Sequence, residues 1–407
     1  MRILDIQKPE EARGIDRRTF TQIGVGAGLA TLAGAGVWSW RRGVFAEDEG
    51  RAFDPWTTWN AGENPQRLVS AAILAASKHN TQPWEFRIEP SYIDVFVKPE
   101  RNVGALDPYR QEADLSAGCT LANLLLAASA EGYSTSTQLL PDKDLDTWVA
   151  KVLLSPGPVS KSAMYAAIPN RHTNRGSYDR TRPLPLSAFD AMTRLAAAEG
   201  IGVAWLARDD ERARFSDLTI DATEAILADA EQAADGARWY RTRWSDVQES
   251  ADGMTLDASG MSRPRRLLDK LFVAPGARDF DDHWRERTKS VDLSTAPVFG
   301  ILTVQDGSDR AQWIRSGLTW QRMHLWATAN GIAMQPLTQT LERKSRERAL
   351  GAAPKFDVAL RELTGGREAA FAFRAGFPTS DAVASPRLSA DRVTFKSVLF
   401  SRAADKA

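Results

Sequence analysis

The sequence predicts an α+β protein built from two similar halves within one chain. A helix that leads into a strand is indicated near residue 80, because apolar and polar side chains alternate from Trp84 to Ile88. A glycine-bounded apolar helix occurs twice, from Gly118 to Gly132 and from Gly317 to Gly331. The equal spacing of these glycines indicates an internal duplication. The 407 residues, of which 43% are hydrophobic, suffice for two domains or for one duplicated domain.

The first 46 residues are predicted to be an export signal. Arg17 and Arg18 precede an uncharged run rich in glycine and alanine, which is followed by a small residue, Ala46. This order of basic, apolar and small-residue regions predicts the twin-arginine export machinery as a partner and the periplasm or cell envelope as the location. The alternative is a retained membrane anchor, because the apolar run is about long enough to span a bilayer. Membrane contact is expected only through this segment.

Composition and charge argue against two classes of function. The 52 basic and 52 acidic residues give zero net charge, without the segregated basic stripe of a nucleic-acid surface, so no nucleic-acid partner is expected. The four histidines are scattered, and the single cysteine excludes a disulfide framework within the chain. We therefore expect no metal site. The one local cluster, Asp281-Asp282-His283, is better explained as an exposed helix start than as a metal site.

The junction between the first predicted helix and strand carries a candidate binding loop, His79-Asn80-Thr81-Gln82-Pro83-Trp84. The carboxamides of Asn80 and Gln82 can match the alternating donors and acceptors of a flat polar ligand. An indole such as that of Trp84 can cover an apolar edge. Because Asn, Thr and Pro are also ordinary turn residues, a purely structural turn is the alternative.

A second candidate segment spans residues 168–175. Arg171, Thr173 and Arg175 alternate, so their side chains lie on one face if the segment is extended. Two guanidiniums that flank a hydroxyl would make a phosphate cradle. The alternative is a solvated basic turn.

Together, the Asn-Thr-Gln-Pro-Trp loop and the Arg-His-Thr-Asn-Arg segment resemble the FMN-dependent nitroreductase superfamily and, within it, the fused Acg family. The resemblance covers nearly all of the chain after residue 60. It implies a nitroreductase-like fold duplicated within one chain, with antiparallel-rich sheets packed under helices. The halves would span residues 60–160 and 161–400 and form a monomeric pseudo-dimer with one composite FMN site.

The resemblance also implies a role for individual residues. Arg171 and Thr173 would hold the FMN phosphate, Arg175 would lie near the pyrimidine edge, and Asn80 and Gln82 would bond the ring edge or ribityl chain. The other cofactor-binding residues implied are His79, Thr81, Trp84, Gln335, Pro336, Leu337 and Arg387, with the segment at 335–337 passing the flavin N5 and Arg387 on the phosphate. No side chain need be catalytic, because the flavin carries the chemistry.

Between the strand predicted at 201–207 and the apolar run at 298–304 lies a charged, helix-like insertion at 208–292. Its length and composition suit a lid over the flavin, and a solvated helical excursion is the alternative. The predicted function is an FMN-binding oxidoreductase that reduces a small acceptor, such as a nitroaromatic or a quinone. The electron donor is NAD(P)H or, for an exported protein, a quinol or a protein. The competing hypotheses are a protein that sequesters FMN under a closed lid, and a cofactor-free interaction module.

Overall fold

The computed structural model describes residues 43–272 and 277–395, except for the side chains of residues 272 and 277–280. The chain separates into two units, Met1–Ala46 and Glu47–Ala407. In the first unit the described residues are 43–46, of which 43–45 form a turn. The predicted twin-arginine motif and the apolar run lie outside the described residues.

The second unit alternates helices and strands, with the longest helices near residues 120, 220 and 320. Its elements up to the insertion are α1 (Asp54–Thr58), α2 (Gln66–Ala72), β1 (Trp84–Glu89), β2 (Tyr92–Val97), α3 (Gln111–Ala130), β3 (Tyr133–Leu139), β4 (Trp148–Pro156), α4 (Ala163–Ala166), α5 (Leu186–Ala197) and β5 (Gly202–Leu206). The insertion contains α6 (Asp209–Ala228), α7 (Ala230–Ala237), β6 (Tyr240–Arg241), α8 (Trp244–Ser250), β7 (Met254–Thr255), α9 (Arg263–Phe272) and α10 (Ala277–Arg287). A π-helical stretch, Thr288–Leu293, then leads to β8 (Val298–Val304), α11 (Arg310–Ala329), β9 (Ala333–Pro336), α12 (Gln339–Leu350), α13 (Lys355–Leu363), β10 (Glu368–Gly376) and β11 (Thr394–Phe395).

The strands form two main sheets. The first has the order β11-β1-β2-β4-β3, and the second has the order β5-β8-β10-β9. All neighbours in these two sheets are antiparallel except β1 and β11, which are parallel. Strands β6 and β7 of the insertion form a separate parallel pair. The predicted α+β class with antiparallel-rich sheets is confirmed.

The two sheets repeat one topology. In each, two neighbouring strands are followed along the chain by a 20-residue helix, α3 or α11, and then by two more strands. In each, the strand order is first, second, fourth, third. Strand β11 departs from this repeat, because it follows the second sheet in the chain but pairs with the first. The repeat supports the predicted duplication.

The two long helices cross at a pair of glycines. A Cβ added at Gly118 of α3 would lie 1.9 Å from the carbonyl oxygen of Ile314, and one at Gly317 of α11 would lie 1.8 Å from that of Leu115. Each of these carbonyls lies three residues before the glycine of its own helix, so the contact is reciprocal. The glycine spacing predicted that Gly118 and Gly317 stand at helix ends. They lie inside the helices instead, because the crossing leaves no room for a side chain.

Helix α3 is apolar and long enough to cross a membrane by length and composition alone. However, 83% of its most apolar window is buried inside the protein. Burial of this kind is typical of the core helix of a globular unit, and the membrane-spanning pattern is therefore weak evidence for a span.

The predicted insertion occupies the connection between β5 and β8. At the equivalent place in the first half, β1 and β2 are joined by residues 90–91 alone. The repeated fold thus carries a large helical addition on its second half only. Residues 273–276 of the insertion lie outside the described ranges.

Candidate functional site

The backbone carbonyls at the end of helix α2, just before the candidate loop, accept hydrogen bonds from side chains of distant segments. Carbonyl groups at a helix C-terminus lack partners within the helix and carry partial negative charge, so they attract donors and cations. Here four side chains from distant parts of the chain supply donors: Asn123 Nδ2 to Ala71 O (3.0 Å), Thr120 Oγ1 to Ala72 O (2.8 Å), Arg171 Nη2 to Leu74 O (3.1 Å) and Arg387 Nη2 to Ala75 O (3.3 Å). Both predicted phosphate-binding arginines are therefore fixed against consecutive carbonyls.

The loop itself has an unusual backbone. His79, Asn80 and Gln82 have φ angles of 45°, 56° and 50°. Residues other than glycine seldom adopt this left-handed region, and three within one loop persist only where surrounding contacts hold them. The backbone of this loop is therefore held in place by its surroundings.

The loop faces a cavity whose walls come from both halves and from the insertion. Eight of the twelve predicted cofactor-binding residues line it: His79, Asn80, Arg171, Thr173, Arg175, Gln335, Pro336 and Arg387. The segment at 171–175 has no regular secondary structure, and His172 lines the cavity as well. Arg171, Thr173 and Arg175 thus face the same cavity as predicted. The segment is not a regular extended strand, however, because the intervening His172 faces the cavity too.

The remaining four predicted residues, Thr81, Gln82, Trp84 and Leu337, do not line the cavity. The Gln82 carboxamide is used by the backbone, because Nε2 donates to Ala251 O (2.9 Å) and Oε1 accepts from Leu388 N (2.9 Å). Trp84 and Leu337 lie in hydrophobic cores, and the Thr81 carbonyl accepts from Arg101 Nε (2.5 Å). Their placement does not support contact with a ligand. The hydrogen bonds of Gln82 and Thr81 fix the loop to neighbouring segments instead.

The arginine end of the cavity has the physical character of an anion site. Arg171 and Arg387 are 2% and 3% exposed, and neither forms an ion pair with a carboxylate in the described part of the chain. Nε and Nη1 of Arg171 and Nε of Arg387 have no hydrogen-bond partner among the described residues. Burial lowers the pKa of Arg171 to about 10, and burial together with Arg171 lowers that of Arg387 well below its usual range. Two desolvated cations without a counter-charge are costly unless an anion binds between them.

Two further residues at this end, His172 and Trp56, were not predicted from the sequence to be site residues. The ring of His172 lies 4.4 Å from that of Trp56, and the Arg387 guanidinium lies 4.7 Å from the Trp56 ring. Burial, with smaller contributions from Arg171 and Arg387, lowers the pKa of His172 from 6.5 to about 3, so His172 is neutral. Its Nδ1 has no partner among the described residues. The position of His172 between two predicted site residues was a usable signal, whereas Trp56 lies upstream of the predicted first half.

Asn80 couples the loop to the anion site. Its Nδ2 donates to Pro386 O (2.9 Å) and to Gly253 O (3.1 Å), and its Oδ1 accepts from Arg387 Nη1. Both amide donors are therefore used within the protein. A ligand hydrogen bond to Asn80, as the sequence predicted, would have to use the remaining lone pair of Oδ1.

The insertion contacts the arginine segment directly. Arg175 Nη1 donates to Ala258 O (3.1 Å), and the Arg175 carbonyl accepts from Arg287 Nη1 (2.7 Å). Arg287 in turn pairs with buried Asp292. Burial, followed by the charge of Arg287, lowers the pKa of Arg175 to about 10. The insertion thus covers the cavity and fixes the backbone of one predicted cofactor-binding residue.

A third polar group on the cavity wall combines one cation with two carboxylates. Lys78 pairs with Glu342, donates to Thr338 Oγ1 (2.8 Å) and lies 3.8 Å from Glu112 Oε1. These residues are far apart in the sequence and gave no signal there. Among the described residues, no group of three or more His, Cys, Asp or Glu could hold a metal ion.

The chain is similar in sequence to proteins of Mycobacterium tuberculosis. One, provisionally named an NAD(P)H nitroreductase, is 27% identical over 283 residues, which cover 69% of this chain and 77% of the relative. An uncharacterised protein of the same organism is 25% identical over 285 residues, covering 68% and 78%. A third, provisionally named the NAD(P)H nitroreductase acg, is 30% identical over 88 residues, or 27% of its length. No family model matches the chain.

Solved nitroreductases are also similar to the chain. An FMN-dependent nitroreductase of Mycobacterium smegmatis, solved with NADPH, has a TM-score of 0.34 and 17% identity over 57% of this chain and 97% of its own. A Bacteroides fragilis nitroreductase with bound FMN has a TM-score of 0.31 and 13% identity over 56% and 95%.

Proposed function

We propose that the chain is an FMN-dependent oxidoreductase of the nitroreductase type, which reduces a small oxidised acceptor such as a nitroaromatic or a quinone. The observation that carries this proposal is the pair of buried guanidiniums, Arg171 and Arg387, which lack a carboxylate among the described residues and keep free N–H groups beside the cavity. A phosphate dianion supplies the missing charge and acceptors. The sequence similarity to provisionally named NAD(P)H nitroreductases supports the same conclusion.

The residues present fit FMN at both ends of the molecule. Arg171, Arg387 and neutral His172 would hold the phosphate, with Trp56 stacked against Arg387. His79, Arg175 and the Gln335–Pro336 segment would lie along the ring, because they line the same cavity. When bound, FMN supplies transfer of a hydride or of single electrons to the acceptor. The protein positions the acceptor, excludes water and sets the local charge.

An FMN-sequestering protein with little turnover is the second candidate, and the contacts of the insertion favour it. Arg287 bonds the Arg175 carbonyl, and Gly253 and Ala251 accept hydrogen bonds from Asn80 and Gln82. An insertion bonded on several sides to the binding loops would restrict access of a nicotinamide donor. In that case a quinol or a protein would be the donor, or turnover would be slow.

Location and assembly are further parts of the proposal. The arginine pair and apolar run within residues 1–42 support export by the twin-arginine machinery, with the periplasm or envelope as the location. The repeated topology supports a monomeric pseudo-dimer with one composite site. We propose no nucleic-acid partner.

An anaerobic absorbance titration separates the two candidates. FMN-loaded protein is titrated with NADPH, then NADH, then dithionite, and the loss of flavin absorbance is followed. Bleaching by a pyridine nucleotide supports the reductase. Bleaching by dithionite alone rules out the nucleotide donor and favours sequestration or another donor, and a protein that takes up no FMN contradicts both.

A further inference from the structure

The cavity carries, besides the arginine end, a buried acid–base cluster for which the proposed cofactor has no evident need. Its members are Lys78, Glu112, Glu342 and Thr338, which all line the cavity. Lys78 directly precedes the binding loop, Glu112 lies in the first turn of α3, and Thr338 and Glu342 lie at the start of α12. The side chains of Lys78, Glu112 and Glu342 are 10%, 13% and 4% exposed. The cluster is therefore largely shielded from bulk water but open to the cavity.

The charges of this cluster do not balance. Glu342 already pairs with Lys78 and accepts from Thr338 Oγ1 (2.8 Å), so the ammonium has its counter-ion. Glu112, 3.8 Å from the same ammonium, is a second carboxylate, and buried Asp107 adds a third acidic group nearby. One ammonium cannot neutralise all three in a poorly solvated site. A carboxyl group that shares its cation in this way retains a proton.

The surroundings of Glu112 agree with this assignment. Burial, opposed by Lys78 and reinforced by Asp107 and Glu342, raises the pKa of Glu112 from 4.5 to about 7. Burial likewise raises the pKa of Asp107 to about 6, although the backbone N–H groups of Glu112 and Ala113 oppose the shift. Cys119, which also lines the cavity, stays a neutral thiol, because burial raises its pKa far above neutrality. Glu112 is thus the carboxyl group on the cavity wall suited to exchange a proton near neutral pH.

We propose that Glu112, held beside Lys78 and Glu342, donates a proton to an acceptor that is reduced in this cavity. The proposal rests on the proposed function and narrows its acceptor to a compound whose reduction consumes protons, such as a quinone. Reduction of a quinone to its hydroquinone takes up one hydride equivalent and one proton. Bound FMN, once reduced, would supply the hydride, and Glu112 would give the proton to the other quinone oxygen. Glu112 becomes a carboxylate stabilised by Lys78, and solvent returns its proton.

Two acceptors separate the proton step from electron transfer. Full-length protein loaded with FMN is reduced with dithionite without oxygen and mixed with benzoquinone, which takes up two electrons and two protons, or with ferricyanide, which takes up one electron and no proton. With Glu112→Gln, we expect the quinone reaction to slow about 100-fold at pH 6. Ferricyanide should react as in the wild type. The matched control is Glu131→Gln, since Glu131 pairs with Arg67 and does not line the cavity.

The pH profile gives a second test that keeps Glu112 in place. The wild-type quinone rate should fall as the pH rises through about 7. Glu342→Gln removes the competing carboxylate and should move this midpoint to lower pH. Equal quinone rates and pH profiles in the wild type and Glu112→Gln would overturn the proposal.

An infrared titration of the protein gives a readout that does not depend on activity. A protonated-carboxyl band that disappears with a midpoint near pH 7 should be present in the wild type and in Glu131→Gln and missing in Glu112→Gln, which should keep only the band of Asp107 with its midpoint near pH 6. Absence of the band with the higher midpoint from the wild type would overturn the proton-donor role even if the flavin reaction proceeds. A reduced protein that transfers electrons to neither acceptor would instead overturn the proposed function, and the proton role with it.

Discussion

Arg171 and Arg387 donate hydrogen bonds to the consecutive carbonyls of Leu74 and Ala75, and both are buried without a carboxylate partner among the described residues. Arg171 lies close enough to lower the pKa of Arg387. Like charges held together in a buried site store unfavourable energy that an anion relieves. The two carbonyls hold the guanidiniums together, and a bound anion would offset their repulsion.

Ligand binding should therefore stabilise the protein through these arginines. We expect FMN at 100 times its dissociation constant to add about 2.7 kcal/mol to the free energy of unfolding of the wild type. In Arg171→Met, the same FMN concentration should add little. Thermal unfolding with and without FMN measures this difference. The control is Arg67→Met, because Arg67 pairs with Glu131 away from the cavity, and an equal FMN effect in Arg171→Met would contradict the assignment.

The glycine crossing should be intolerant of any side chain. Gly118→Ala puts a methyl group 1.9 Å from the Ile314 oxygen, so the two central helices must separate. We expect a loss of about 3 kcal/mol or more in the free energy of unfolding, measured by urea denaturation. As a control, Gly236→Ala in α7 meets its nearest atom at 3.3 Å and should change the stability by less than about 1 kcal/mol. Equal effects of the two substitutions would show that the crossing is not close-packed.

Glu112 should make the stability depend on pH in a defined direction. Its pKa is raised from 4.5 to about 7, so its contribution to stability is full below pH 4.5 and is lost as the pH rises through 7. The shift corresponds to at most about 3 kcal/mol. Glu112→Gln should remove this dependence. The free energy of unfolding of the variant, relative to that of the wild type, should therefore be higher at pH 8 than at pH 5. Urea midpoints at the two pH values measure the gain, and parallel wild-type and variant profiles would refute it.

The lowered pKa of His172 makes the stability of the protein depend on pH in the opposite direction. Its contribution is present above pH 6.5 and is lost as the pH falls toward 3. A bound phosphate dianion would favour the imidazolium form and so reduce this loss. We expect FMN to protect the wild type against acid unfolding more strongly than it protects His172→Gln. Acid titrations followed by circular dichroism, with and without FMN, test this, and identical protection would place the phosphate elsewhere.

The insertion should control the exchange of FMN. Arg287→Met removes the hydrogen bond to the Arg175 carbonyl, while Arg374 still pairs with Asp292 at 3.2 Å. Loss of one such charged hydrogen bond costs about 2 kcal/mol, which corresponds to about 30-fold faster FMN release. Arg285→Met is the matched control on the same helix, because the partners of Arg285 among the described residues are the surface carboxylates of Glu224 and Asp282. Unchanged release from Arg287→Met would exclude this contact as a restraint on the insertion.

Much of the fold was predictable from sequence periodicity. The alternation at residues 84–88 identified β1, and the repeated glycines identified the two central helices. The apolar run at 298–304, whose secondary structure was not predicted, is β8. The role of Gly118 and Gly317 was mistaken, because a helix crossing and a helix end both favour glycine. Pairing of β11 with β1 joins distant segments, and local sequence carries no signal for it.

Only part of the site was predictable, because local sequence does not show which groups a side chain contacts in the folded protein. Residue type and local spacing singled out Arg171, Arg175 and Asn80, and all three line the cavity. Gln82 looks equally suited to bind a ligand, but its carboxamide is used by backbone groups at positions 251 and 388. The cluster at Lys78 is formed by tertiary packing of three separate elements and has no local pattern. Ligand contact and loop support are thus distinguished by the three-dimensional partners of a side chain.

The most direct test of the anion site is to compare the affinities for FMN and for riboflavin, which differ by the phosphate alone. Quenching of flavin fluorescence should show that the wild type prefers FMN by about 1,000-fold, because two charge-assisted contacts contribute about 4 kcal/mol. In the double variant Arg171→Met/Arg387→Met, the preference should fall below about 10-fold, while the riboflavin affinity changes little. A wild type that binds both flavins equally, or a double variant that keeps the full preference, would contradict a phosphate site at Arg171 and Arg387.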